Sequence, residues 1–355
     1  MGIVFSDFIT TIDNDIETRI NIGNESIKFG IDFLDDFLCG IWKQDLVLVG
    51  AHSGAGKTQL VTNIALHNVL NGKRVHFFAL EADEYEIERR ILFNLTSKYY
   101  FNDPKRKTIS ITNADFMLGN IAKQGVAYEI QAINEFKKRF GNLKVAYKFG
   151  RFGIKEFREA FLQVAVQGSD LIIIDHAHFF DWGTTNENVA LKEIVSAARE
   201  LNIENKIPVI LVSHLRKRSY AVDWYAPPME EFHGSSELYK YSTKVITLGT
   251  GEREGEKTFS TYVNSAKFRA DGSRAKAIGK INFNFTNLSY ERGYDIGRPY
   301  QVRTNEFETF IENDFPAWAK GARRGGGINS GPASSSAMAS NTRGAEHVQR
   351  VPYSD

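Results

Sequence analysis

Between residues 28 and 300 the chain alternates short, mostly apolar runs with longer segments whose apolar residues recur every three or four positions. LVLVG (46–50), RVHFFAL (74–80), LIII (171–174) and PVILV (208–212) have the length of strands. Residues 57–71 and the charged segment EADEYEIERRILFNL (81–95) have the periodicity of helices. Strands that are apolar on both faces are buried on both faces. Separated by helices, they predict an α/β fold with a mostly parallel central sheet covered on two sides. Residues 97–140 are richer in charge and read as helices and loops laid over that sheet. After residue 240, KVITLG, TFSTYVNSAKF and KINFNF are joined by the polar links GTGEREGE and RADGS. They predict antiparallel C-terminal strands that extend the sheet.

The two ends differ from this body. Phe5, Phe8, Ile9, Ile12, Ile16 and Ile20 recur at helical spacing, so residues 1–25 are expected to form an amphipathic helix, docked on its own core or on a neighbouring subunit. Residues 26–300 form the main domain and 301–318 an extension. The tail 319–355 is rich in Gly, Ser and Ala, cannot bury enough apolar surface to order itself, and is expected to be disordered. Its scattered arginines also make it a candidate tether for nucleic acid or a partner.

Composition narrows the classes. With 42% hydrophobic and 25% charged residues among 355, the chain can build an ordinary globular core. A net charge of +1 gives no general attraction to nucleic acid, so any such site must be a local patch. The single cysteine, Cys39, excludes an internal disulfide and a cysteine zinc site. No apolar run approaches the ~20 residues of a membrane span, and the N-terminus lacks a signal-peptide pattern. A cytoplasmic location follows as the expectation.

One octet carries specific chemistry: Ala51-His52-Ser53-Gly54-Ala55-Gly56-Lys57-Thr58, which with the next residue, Gln59, forms the candidate nucleotide-binding segment. It fits the strand–loop–helix phosphate motif, with Ala51 where the strict pattern has its first Gly. Gly54 and Gly56 permit a tight loop whose N–H groups turn toward a phosphate, and the next helix points its positive end at the same anion. Lys57 would neutralise β- and γ-phosphate oxygens, and the Thr58 hydroxyl would ligate Mg2+. The expected ligands are ATP, or another NTP or dNTP, and Mg2+. Asp175, closing the run LIIID, is placed to hold Mg2+ at a strand tip. Glu81, at the tip of the next strand after the phosphate-loop helix, is the candidate base for the attacking water if the two strands are neighbours.

These residues resemble the RecA-like motor domain of DnaB-type replicative DNA helicases over about Phe29 to Phe285. FGIDFLDDFLCGIWKQDLVLVG resembles the family's entry into the phosphate-loop strand, FALEAD its catalytic-glutamate segment, and LIIIDHAHFF its magnesium-aspartate strand. NVALKEIVSAARELNIENKIPVILVSHLRKRS resembles its long helix, next strand and sensor, with His214 where the family commonly has Gln. In NSAKFRADGS, Lys267 and Arg269 resemble the K-x-R pair that reaches the adjacent subunit's nucleotide. PPMEEFHGSSELYK resembles the DNA-facing loop, so His233, Gly234, Ser235 and Ser236 become candidate contacts to the phosphate backbone. Arg216, Lys217 and Arg218 would add sequence-independent attraction.

The resemblance implies an ATP-dependent 5′-to-3′ helicase or translocase working at replicating DNA. Its implied partners are single-stranded DNA, further copies in a hexameric ring, and a primase, polymerase or loader. A minimal form without the family's N-terminal collar domain is expected. Two other readings use the same phosphate loop: a RecA-type recombinase and a KaiC-like ATP-switched regulator. The late K-x-R pair and HGSSELYK favour the helicase.

Overall fold

The computed structural model describes residues 8–105, 112–120, 123–181, 183, 186–216, 227, 229–232, 235–254, 258–272, 277–284, 286–299 and 307–308. The helices are α1 (Phe8–Thr11), α2 (Asp15–Asn24), α3 (Asp32–Leu38), α4 (Lys57–Leu70), α5 (Glu86–Asn102), α6 (Asn113–Met117), α7 (Lys123–Arg139), α8 (Ile154–Val166), α9 (Glu187–Asn205) and α10 (Ser235–Tyr241). The strands are β1 (Leu46–Ala51), β2 (Val75–Ala79), β3 (Leu143–Tyr147), β4 (Leu171–Asp175), β5 (Val209–His214), β6 (Lys244–Glu254), β7 (Thr258–Phe268), β8 (Ala277–Asn284), β9 (Ser289–Pro299) and β10 (Phe307–Glu308). They form one sheet in the order β10-β9-β8-β7-β6-β1-β5-β4-β2-β3.

From β3 to β6 all neighbours are parallel. From β6 outward the pairing is antiparallel. Lys244–Gly249 therefore departs from its expected antiparallel role. It runs parallel to β1, because α10 lies in the crossover from β5, and the direction reverses only at the turn into β7.

The all-apolar runs are explained by two cores. Val47, Val49, Ile173 and Phe77 face one layer built from α3, α4, α5 and α7. Leu46, Leu48, Ile172, Ile174 and Phe78 face the opposite layer of α8, α9 and α10. Each fully buried aliphatic or aromatic side chain contributes about 1.5–3 kcal/mol, so β1, β4 and β5 are held from both sides and their C-terminal tips are rigidly placed.

A buried ion pair fixes the entry to β6. Lys244 Nζ, fully buried, donates to Asp45 Oδ2 at 2.5 Å and to the Gly40 carbonyl at 2.7 Å, between the rings of Trp42 and Phe268. Asp45 also accepts from the Thr243 hydroxyl and the Trp42 N–H.

The N-terminal helix begins at Phe8 within the described residues and is interrupted by a 3-10 turn at Ile12–Asn14. It buries no side chain, and Ile9 is 84% exposed. It does not dock on its own core. Phe5, the extension beyond Pro299 apart from Phe307–Glu308, and the tail lie outside the described residues. Among those described, no helix is long and apolar enough to cross a membrane.

Candidate nucleotide site

Four strand tips meet at one edge of the sheet. In register, Ala51 of β1 lies beside His214 of β5, and Ala79 of β2 beside Asp175 of β4. The next N–H, of Leu80, bonds the Asp175 carbonyl at 2.8 Å. Strands β5 and β4 stand between β1 and β2, so the phosphate-loop and glutamate strands are not neighbours. Glu81 reaches the site across β4 instead, two residues past the end of β2. Its charge bears on both Lys57 and Asp175.

The loop from His52 to Gly56 joins β1 to α4. Gly54 (φ 78°) and Gly56 (φ 86°) occupy the left-handed region that other residues enter only with strain. Gly56 has a second constraint, since a Cβ there would lie 2.8 Å from the Tyr290 hydroxyl. Lys57 is 6% exposed, and its Nζ donates to the carbonyls of Ala51 (3.1 Å) and His52 (3.0 Å). Burial lowers its pKa, while the charges of Asp175 and Glu81 oppose that shift. His52 Nε2 lies 3.4 Å from Glu231 Oε2 at the loop's flank. The Gln59 side chain turns away from the loop, donating to the Leu288 carbonyl at 2.8 Å and facing Arg90.

Burial raises the Asp175 carboxyl to about 6, although the Thr58 hydroxyl donates to it; the Glu81 charge adds to the rise and Lys57 opposes it. Its Oδ1 is buried without a hydrogen-bond partner. An orphaned carboxylate oxygen beside a hydroxyl is a hard-oxygen donor set, and it fits Mg2+. Asp175 and Thr58 are the residues that would hold that ion, which supplies charge neutralisation to the phosphates when bound.

Three imidazoles crowd the same tips. His214 packs edge-to-face on His176 with centroids 4.2 Å apart, and lies 5.6 Å from His178. Burial and the Lys57 charge lower His214 to about 4, which keeps it neutral. Burial pushes His176 to about 2, helped by His214, His178 and Lys57.

The K-x-R pair lies away from the chain's own loop. Lys267 Nζ donates to the carbonyls of Tyr239 (2.5 Å) and Ser242 (2.8 Å), and burial lowers it to about 8. Arg269 donates to the Lys240 carbonyl at 2.9 Å. Both therefore rest on the C-terminal end of α10, whose first residues are Ser235 and Ser236. Arg216 is exposed just beyond β5 and its N–H bonds the Glu231 carbonyl. Lys217, Arg218, His233 and Gly234 lie outside the described residues, as do the side chains of Ser235 and Ser236.

Sequence reading missed four participants. Phe232, fully buried, packs on Gly50 so closely that a Cβ there would meet its ring at 2.2 Å. It thereby ties the segment before His233 to the phosphate-loop strand. Arg90 of α5 pairs with Glu86, and its charge is felt at Asp175. Tyr290 of β9 donates to the Gly56 carbonyl at 3.3 Å. His176 was visible in LIIIDHAHFF, directly after the metal aspartate, but carried no motif weight.

A parallel sheet with the phosphate loop on β1, Asp175 two strands away and antiparallel strands appended is a RecA-like P-loop nucleotide-binding fold. Comparison with known proteins agrees. The family model for the DnaB-like helicase C-terminal domain matches residues 26–291. The structure entitled ATPase domain of G40P is 16% identical with a TM-score of 0.67, the match covering 81% of this chain and 99% of that one. A DnaB-like replicative helicase described with its interactions with primase is also 16% identical, with a TM-score of 0.66, covering 82% of this chain and 67% of that one. Curated proteins yield no significant match. The chain belongs to the DnaB-like helicase C-terminal domain family, and it is an ATP-hydrolysing DNA helicase of the replicative type.

Proposed function

We propose that this motor hydrolyses Mg–ATP at subunit interfaces of a ring and uses the cycle to move 5′ to 3′ along single-stranded DNA. The observation that carries the reading is the convergence of Lys57, Thr58, Asp175, Glu81 and His214 at adjoining strand tips. Loop N–H groups and Lys57 bind the phosphates, Asp175 and Thr58 hold Mg2+, and Glu81 takes the proton of the attacking water. His214, kept neutral by its setting, donates toward the γ-phosphate position and responds to its loss.

Lys267 and Arg269 supply the charge that completes a neighbour's site. Their position on the far end of α10, away from the chain's own loop, supports a role in trans. Arginine's planar fork suits the charge spread over a transferring phosphoryl group. The exposed apolar helix Phe8–Asn24 supports a ring, since it needs a surface that its own core does not offer. DNA is held by the segment from Arg216 to Ser236, and Phe232 on Gly50 links that segment to the nucleotide. One structural relative is described with primase, so a primase is the natural partner to test.

Mixing subunits tests the in-trans claim. Arg269→Ala and Glu81→Ala preparations, each inactive, should regain a fraction of DNA-stimulated hydrolysis when co-assembled. Strictly additive, near-zero activity would contradict shared sites.

A further inference from the structure

His176 is 1% exposed, yet its ring faces the reacting carboxylate rather than the hydrophobic core. Its Nε2 lies 2.9 Å from Glu81 Oε2, but the oxygen sits too far off the ring's N–H axis for a hydrogen bond, and Nε2 has no other partner. Its Nδ1 accepts the backbone N–H of His178 at 3.3 Å. The ring plane is fixed by edge contacts with Phe179 (centroids 4.8 Å, 89°) and His214 (4.2 Å, 82°). A neutral imidazole carries one N–H, and an accepting Nδ1 places it on Nε2, the nitrogen beside Glu81. The glutamate side chain is half exposed and has several rotamers open to it. A donor on a fixed ring selects among them. Catalytic hydrogen bonds are often poorly aligned before substrate binds and tighten afterwards.

We propose that His176 is a positioning residue for hydrolysis: when substrate binds, its Nε2–H closes on the nearby Glu81 carboxylate and holds it in the orientation that meets the attacking water. Its contact with His214 couples that orientation to the residue assigned above as the γ-phosphate sensor. The inference rests on Glu81 being the base.

The same three residues invite another reading. Glu81, His176 and His214 each bring a ligand atom within 4.8 Å of the others, a spacing a transition-metal ion could bridge. The tautomer decides against it. A metal on Nε2 would need the proton on Nδ1, where it would face the His178 N–H. Lys57, whose charge reaches both histidines, opposes a second cation further.

The test is steady-state, DNA-stimulated ATP hydrolysis by full-length Glu81→Ala, His176→Leu, His176→Gln, His176→Asn and the Glu81→Ala/His176→Leu double variant. Urea unfolding of each accompanies it. Misplacing a catalytic group by about 1 Å costs on the order of 100-fold. His176→Leu is expected to lose about 10–100-fold in kcat, with the KM for ATP within about threefold. Gln can place an amide N–H near the Nε2 position and should keep most of the rate; Asn is too short and should not. That contrast stands even if the Leu variant fails to fold. The double variant should be within about twofold of Glu81→Ala alone, because residues acting as one unit are not additive.

Equal losses in Gln and Asn, or a His176→Leu loss that multiplies onto that of Glu81→Ala, would overturn the proposal in favour of plain structural support. An unaffected His176→Leu would also overturn it. Full activity in Glu81→Ala would instead remove the base assignment, and this inference with it. A tetrahedral Co2+ absorption band that disappears in His176→Gln would establish the metal reading in its place.

Discussion

Replacing Asp175 by Asn removes a negative charge from a place where burial disfavours it. Burial holds the folded-state carboxyl at a pKa of about 6, against 3.8 when it is exposed to water. That difference is worth about 3 kcal/mol. For an acid whose folded pKa is raised, the sign is a penalty. It is present in full above the folded value, declines as pH falls through about 6, and is gone below about 4, where the group is protonated in both states. Asn escapes this penalty but brings an amide N–H into a setting where Oδ1 has no hydrogen-bond partner, at a cost of about 1 kcal/mol or more. The nucleotide-free Asn variant is therefore expected to be about 2 kcal/mol more stable than wild type at pH 7.5. At about 2–4 °C per kcal/mol, that raises Tm by about 4–8 °C. At pH 4 the gain should vanish and give way to a loss of about 1 kcal/mol, the cost of the unpaired amide alone. Mg–ATP should stabilise wild type and have much less effect on the variant, which also loses hydrolysis. Urea and thermal unfolding at both pH values, with and without Mg–ATP, measure all of this. An Asn variant destabilised at pH 7.5, or an equal effect at both pH values, would refute the argument that Asp175 is a desolvated charge held for a cation.

Three further outcomes follow from the geometry. Gly56→Ala introduces a side chain at φ 86° and a Cβ 2.8 Å from the Tyr290 hydroxyl; left-handed strain of about 1–2 kcal/mol should weaken ATP binding by roughly tenfold in a fluorescent-nucleotide titration. Lys244→Met leaves Asp45 buried with its Thr243 and Trp42 donors but no cation, and should cost about 3 kcal/mol by urea unfolding, while Lys244→Met with Asp45→Asn recovers much of it. Arg216→Ala should lower the slope of log K against log salt for single-stranded DNA by about one if that side chain contacts a phosphate.

Much of the parallel sheet was legible because β1, β4 and β5 are apolar on both faces, and the phosphate loop announced itself through Gly54, Gly56 and Lys57. The edge strand β3 was not, because LKVAY buries only Leu143 fully and mixes exposed residues with partly buried ones. The direction of β6 was also hidden: the same apolar run serves a parallel neighbour on one side and an antiparallel one on the other. Within the candidate site, Glu81 and Asp175 were proposed from their place at strand ends, and the structure brings them to adjoining tips, although the sequence cannot reveal that β5 and β4 separate β1 from β2. Phe232, Arg90 and Tyr290 come from distant segments and reach the nucleotide loop only through tertiary packing, so no local pattern marks them. Gln59 shows the converse: its position in the motif suggested a ligand contact, while its side chain is committed to Leu288 and Arg90.

The most direct test of the central claim is unwinding of a forked duplex, followed together with DNA-stimulated ATP hydrolysis, for wild type, Lys57→Ala and Glu81→Ala. Wild type should unwind only with hydrolysable nucleotide and Mg2+, and single-stranded DNA should accelerate its hydrolysis. Lys57→Ala should lose both activities, and Glu81→Ala should bind nucleotide without turning it over. Hydrolysis that ignores DNA, or unwinding that survives Lys57→Ala, would contradict the account.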